Sequence, residues 1–126
     1  MKKEILTNKA PAPIGPYSQA IDTGSFVFCS GQIPLDPVTG EVVGAGDVEA
    51  QTRQVMLNIA AVLKEAGATF NQIAKTTIFL KNMTDFPKVN PIYGEHFQAP
   101  FPARSTVEVA RLPKDVLVEI EVIIAR

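Results

Sequence analysis

The chain has 126 residues, of which 46% are hydrophobic and 20% charged, and its formal net charge is −1. A chain of this length buries about two thirds of its unfolded surface in one ordinary domain, 1–126, and leaves no room for a second. Scattered lysines and arginines give no footprint for tracking a nucleic-acid backbone, and no apolar run approaches the ~20 residues of a membrane span, so a cytosolic protein is expected.

Residue counts exclude further chemistry. The one cysteine, Cys29, has no partner for an internal disulfide, which fits a reducing compartment. The one histidine, His96, lies beside Phe97 on a helical segment and offers no histidine pair for acid–base cleavage of RNA. Together they give no metal-ligand spacing, and Gly40, Gly44 and Gly46 read as turns between short strands, not as a phosphate cradle.

Along the chain, Phe26 to Ser30 reads as a strand ended by Gly31, and Asp36-Pro37-Val38-Thr39-Gly40 is a turn by its composition. Asp47 caps a helix whose apolar positions Val55, Ile59, Val62 and Ala66 recur at helical spacing, and Gly67 stops it. Lys75 to Lys81 alternate as a strand, with Thr76, Ile78 and Leu80 on one side and Thr77 and Phe79 on the other. A second helix begins near Asp85. Pro87 is tolerable in its first turn, whereas Pro91 removes a donor and disfavours helical geometry at Asn90, freeing that side chain to face a cleft.

The last two strands, joined at Leu112-Pro113-Lys114-Asp115, carry unusual charge. Alternation puts Val118, Ile120, Val122 and Ile124 on one face and Glu119 and Glu121 on the other, and assigns Arg104, Thr106 and Glu108 to that second, polar face. Read as a hairpin, these strands hold Arg104 and Glu119 roughly 13 Å apart at ~3.3 Å per residue. Any meeting of the two over one ligand then requires Glu119 from a neighbouring subunit. The element order, β…β-β-α-β-α-β-β, predicts an α+β sandwich, a mixed sheet with two helices on one face.

Three separated motifs point further. Pro13-Ile14-Gly15-Pro16-Tyr17-Ser18-Gln19-Ala20 with Ser30-Gly31-Gln32-Ile33-Pro34, then Asp85-Phe86 with Val89-Asn90, and finally Pro102-Ala103-Arg104-Ser105-Thr106-Val107 through Val118-Glu119-Ile120 resemble the Rid family of reactive intermediate deaminases, also called YjgF or translation-inhibitor proteins. The resemblance spans nearly the whole chain. It implies the chorismate-mutase-like fold and a homotrimer with clefts between subunits. It also implies cofactor-independent hydrolysis of 2-imino acids (2-iminobutanoate, 2-iminopropanoate) to 2-keto acids and ammonia.

The resemblance also implies roles. Arg104 clamps the substrate carboxylate, and Glu119 polarises a water or shuttles its protons. Tyr17, Ser30, Gly31 and Asn90 line the same cleft, with Ser30 and the Gly31 backbone supplying hydrogen bonds. Without it, Arg104 reads as an ion-pair partner, Tyr17 as an anchor for the N-terminal loop, Ser30 as a strand-end cap and Gly31 as a turn residue. Thr106 departs from members that carry cysteine there. Two other functions share these residues: a trimeric small-metabolite-binding regulator, which would lack turnover, and an endoribonuclease or translation inhibitor, disfavoured by the charge.

Overall fold

The computed structural model describes residues 1–126, folded as one six-stranded mixed sheet with two helices on one face. Strands β1 (Lys3–Ile5), β2 (Ala20–Asp22) and β3 (Phe26–Cys29) precede helix α1 (Val48–Glu65), which β4 (Ile73–Leu80), α2 (Phe86–Gly94), β5 (Ala103–Glu108) and β6 (Val118–Ala125) follow. In space the strand order is β1-β2-β3-β6-β4-β5. No helix is long and apolar enough to cross a membrane.

Local chemistry accounts for the helix ends. Asp47 accepts the Glu49 and Ala50 amides at 3.1 Å, which removes two of the orphan donors of α1. At the other end Gly67 adopts φ 69°, and the Ala68 and Gly67 amides return to the carbonyls of Leu63 and Lys64 at 2.9 and 3.1 Å. That double closure needs a left-handed residue, which glycine supplies without a side-chain clash. Val55, Met56, Ile59 and Val62 then pack on Ile78, Leu80, Val118, Ile120, Val122 and Ile124, with Val89 and Tyr93 of α2 completing the core. The loop at Gly40, Gly44 and Gly46, expected to link short strands, holds only an isolated bridge between Leu35 and Val42.

One expectation fails in a consequential way. β5 and β6 are not a hairpin, because β4 lies between them, antiparallel to β6 and parallel to β5. Connection length explains the error. Residues 109–117 include a 3-10 turn, Pro113–Asp115, in which Lys114 and Asp115 both take φ 55°, and this excursion is long enough to step over a strand. Because paired residues on adjacent strands share a face, Arg104, level with Thr76, Thr106, level with Ile78, and Glu108, level with Leu80, lie on the helix side. Glu119, level with Phe79 and through it with Val107, lies with Glu121 on the open side. The single polar face read from alternation is therefore two faces.

Candidate active site

Glu119 is placed by backbone pairing. Gln32 and Ile120 exchange amide-to-carbonyl bonds at 2.8 and 3.1 Å, which lays the segment Ser30-Gly31-Gln32 alongside β6. Gln51 of α1 braces the start of that strand by accepting the Leu117 amide at 2.8 Å. The Glu119 side chain consequently rests on Gly31. A Cβ added there would stand 2.9 Å from Glu119 Cδ and 3.1 Å from Cγ, closer than side chains tolerate. Gly31 thus leaves room for the Glu119 carboxyl, which a side chain there would push aside, and no positive φ calls for the turn role anticipated from sequence.

This contact is chemically pointed. Burial, and then the neighbouring charge of Glu121, raise the Glu119 carboxyl above the ordinary glutamate range. The Gly31 amide donates to no acceptor within the chain, while the Ser30 hydroxyl donates to the Ser18 carbonyl at 2.6 Å and so presents its lone pairs outward. Tyr17, Ser30, Gly31 and Glu119 line one cavity of about 380 Å³, walled by Pro11, Ile14 and Leu35. Tyr17 is 51% exposed, so it does not anchor its loop by burial. That task falls to Gln19, a buried amide that accepts the Thr7 amide at 2.7 Å and donates to the Thr7 and Pro11 carbonyls at 2.9 Å.

Arg104 and Asn90 are elsewhere. They line a second hollow of about 460 Å³ with Tyr93, Phe101 and Pro102. Arg104 donates to Asn90 Oδ1 at 2.8 Å, and its guanidinium carbon lies 5.2 Å from the Phe86 ring centre and 5.1 Å from that of Tyr93. The chain's ion pairs are Arg53–Glu95, Arg111–Asp115 and Arg126–Asp22, so Arg104 faces no carboxylate at all. It is not the ion-pair partner that its strand-entrance position suggested. Phe86 and Tyr93 escaped the sequence reading, although their spacing from Asn90 on one helix, four residues before and three after, is the available signal.

The six candidates therefore form two half-sites. Through Thr76 of β4, Arg104 is level with Val122 of β6, so Glu119 lies three residues along and two strands across. Each displacement amounts to roughly 10 Å, and the side chains leave opposite faces of the sheet. Cys29 and His96 join neither half. Burial pushes the Cys29 thiol up to about 12, and it lowers the pKa of His96, which stacks against Phe70 at 4.9 Å.

Comparison with known proteins gives a consistent assignment. The family described as endoribonuclease L-PSP matches residues 7–126. A RutC family protein of Pyrococcus abyssi is 57% identical over 122 residues, 97% of this chain and 95% of its own. The 2-iminobutanoate/2-iminopropanoate deaminase of Salmonella typhimurium is 54% identical over 129 residues, 100% of this chain and 99% of its own. Among solved structures, YyfA of Yersinia pestis, a Rid family protein of unknown function, superposes with a TM-score of 0.96 at 54% identity over 100% of both chains. Escherichia coli TdcF with bound serine superposes with a TM-score of 0.92 at 48% identity over 99% of each. This chain belongs to the Rid family, whose members include proteins named as 2-imino acid deaminases.

Proposed function

We propose that the protein hydrolyses reactive 2-imino acids, such as 2-iminobutanoate and 2-iminopropanoate, to 2-keto acids and ammonia in clefts between copies of the chain. The observation that carries this reading is the half-buried Glu119 carboxyl, held on Gly31 beside an unengaged backbone amide. An unpaired guanidinium at Arg104 supports it, as does the deaminase name of a full-length relative. The serine on TdcF supports a ligand with an amino-acid-like carboxylate.

The two half-sites support a reading in which copies of the chain assemble. A four-carbon imino acid cannot reach from Arg104 to Glu119 around the sheet of one chain. The open face bearing Glu119 also displays Phe26, Phe28 and Val107, which are 43%, 47% and 39% exposed. A second copy that covers this apolar surface with its β5 edge brings its Arg104 toward Glu119. Edge against face is a heterologous contact, and the smallest ring that closes such contacts is a trimer.

In the joined cleft, Arg104 of the partner subunit binds the substrate carboxylate bidentately, and the Gly31 amide donates a further bond. Glu119 as carboxylate accepts a proton from water while the water oxygen adds to the imine carbon and the C=N π pair moves to nitrogen. Glu119 returns that proton to nitrogen, giving a carbinolamine, and then carries the hydroxyl proton to the amino group, so that the C–N bond breaks with its electron pair leaving on ammonia as the carbonyl forms. No covalent nucleophile is needed, since imines already react with water and the protein contributes orientation and a proton route.

The test couples the protein to a threonine dehydratase and traps the released imine with semicarbazide. The native chain suppresses trapping, and Arg104→Ala and Glu119→Ala do not. Absence of suppression by the native assembly overturns the deaminase reading and leaves metabolite binding without turnover.

A further inference from the structure

We infer that Tyr93, pinned by Thr76 and assisted by Phe86, is a positioning residue that sets the direction of the Arg104 guanidinium and hence the affinity for the substrate carboxylate. This rests on the deaminase reading above. The geometry has three parts. The Arg104 guanidinium carbon lies 5.1 Å from the Tyr93 ring centre and 5.2 Å from that of Phe86, so aromatic groups hold the cation without neutralising it. The Tyr93 hydroxyl and Thr76 Oγ1 are 2.8 Å apart in the buried interior, which ties the ring to β4. Asn90 takes one donor of Arg104 through Oδ1 at 2.8 Å, and the remaining N–H groups have no acceptor within the chain.

Neutral support has a specific consequence. A carboxylate partner would fix the arginine equally well, but it would compete with the ligand for the same fork. Two rings and one amide oxygen fix it and leave its charge available. β5 also holds the other end of α2, because Glu108 accepts the Met83 amide at 2.8 Å in the turn that leads into the helix. Arg104 and Glu108 thus grip α2 at separated points, so the rings that flank the guanidinium are set by the same strand that carries it.

The probe is 2-oxobutanoate, a non-reacting keto acid, titrated calorimetrically into the native assembly and into Tyr93→Phe, Thr76→Val, their double variant, and Phe86→Leu. Tyr93→Phe and Thr76→Val each break one hydrogen bond and keep the ring, so each is expected to weaken binding about 3-fold, and the double variant no further than either single one. Phe86→Leu removes one aromatic face and is expected to weaken binding about 2- to 5-fold, the range that corresponds to an exposed cation–π contact. KM for the imine should rise by the same factors while kcat stays within about twofold, because the contact acts equally in ground and transition states. A merely structural role would lower the melting temperature without moving Kd below it. Folded variants that bind 2-oxobutanoate as the native protein does overturn the inference and leave the deaminase reading intact. A native protein that neither binds the keto acid nor suppresses imine trapping overturns both.

Discussion

Gly31→Ala isolates the position of the Glu119 carboxyl from every other feature of the site. The added methyl would lie 2.9 Å from Glu119 Cδ and 3.1 Å from Cγ, while ordinary contact begins near 3.4 Å. The carboxyl group must retreat by roughly 1 Å, and a misplacement of that size in a catalytic group costs on the order of 10²-fold in rate. The backbone at Gly31 does not require a left-handed conformation, since the five glycines with positive φ are Gly24, Gly40, Gly44, Gly46 and Gly67. Alanine is therefore sterically costly only against a side chain that can swing away, and the fold should lose no more than about 1 kcal/mol, the cost of one displaced rotamer. Its amide is retained, so carboxylate affinity should change little. The expected signature is a kcat lower by about 10²-fold with KM within a few fold, measured by the semicarbazide competition assay on an assembly of native size and melting temperature. A Gly31→Ala protein with native kcat refutes the claim that this close approach places Glu119 as the proposed general base.

Four further outcomes follow from the same structure. Because burial, followed by Glu121, raises the Glu119 carboxyl, kcat/KM should fall on acidification through a limb above the usual glutamate range, and Glu121→Gln should move that limb downward only part of the way. The linkage sign is fixed: Glu119 with a raised folded pKa stabilises the fold fully below its unfolded pKa and loses that contribution as pH rises through the folded value, so Glu119→Gln should flatten stability measured across that window. Asn58→Leu strands the Ile33 and Leu35 carbonyls, which Asn58 Nδ2 reaches at 3.2 and 3.0 Å, and should cost about 2–4 kcal/mol in urea unfolding at fixed protein concentration. Cys29, with its thiol pushed up to about 12 by burial, should resist iodoacetamide at pH 8 in the native protein and react after unfolding.

What the sequence disclosed divides by the range of the interactions involved. The cap at Asp47, the stop at Gly67 and the alternation of β4 are set by neighbours within a few residues, and each appears where local chemistry placed it. β1 and β2 each have three residues, too few for alternation to register, so the predicted order counts three strands before the first helix but locates only the one at Phe26. Pairing of β4 between β5 and β6 is a long-range choice that local pattern does not encode. Alternation correctly separated Val118 and Ile120 from Glu119 and Glu121 within β6, but relating one strand's faces to another's requires the register, and an intervening parallel strand reversed the assignment for β5. The family resemblance supplied Tyr17, Ser30, Gly31, Asn90, Arg104 and Glu119 together, whereas only the folded chain divides them into an acidic half and a cationic half.

That division also explains why so much charge can occupy so small a sheet. If Arg104 and Glu119 shared a face within one chain, they would be free to neutralise each other, and the ligand would have to break an ion pair before binding. Sheet topology forbids this by sending the two side chains to opposite faces, two strands apart. The two groups then meet separate environments: aromatic rings and an amide oxygen support the Arg104 charge, whereas desolvation disfavours the Glu119 charge and makes its carboxylate a stronger base. In the proposed assembly they approach only as a cleft forms, and the substrate carboxylate supplies the countercharge that Arg104 lacks within its own chain. Dissociating the assembly by a charge on its open face, Phe28→Glu for example, should therefore abolish turnover with Arg104, Glu119 and Gly31 all intact. Sedimentation and the trapping assay, performed on the same sample, decide the point: a monomer with native activity would show that one chain completes the site and would refute the two-copy cleft.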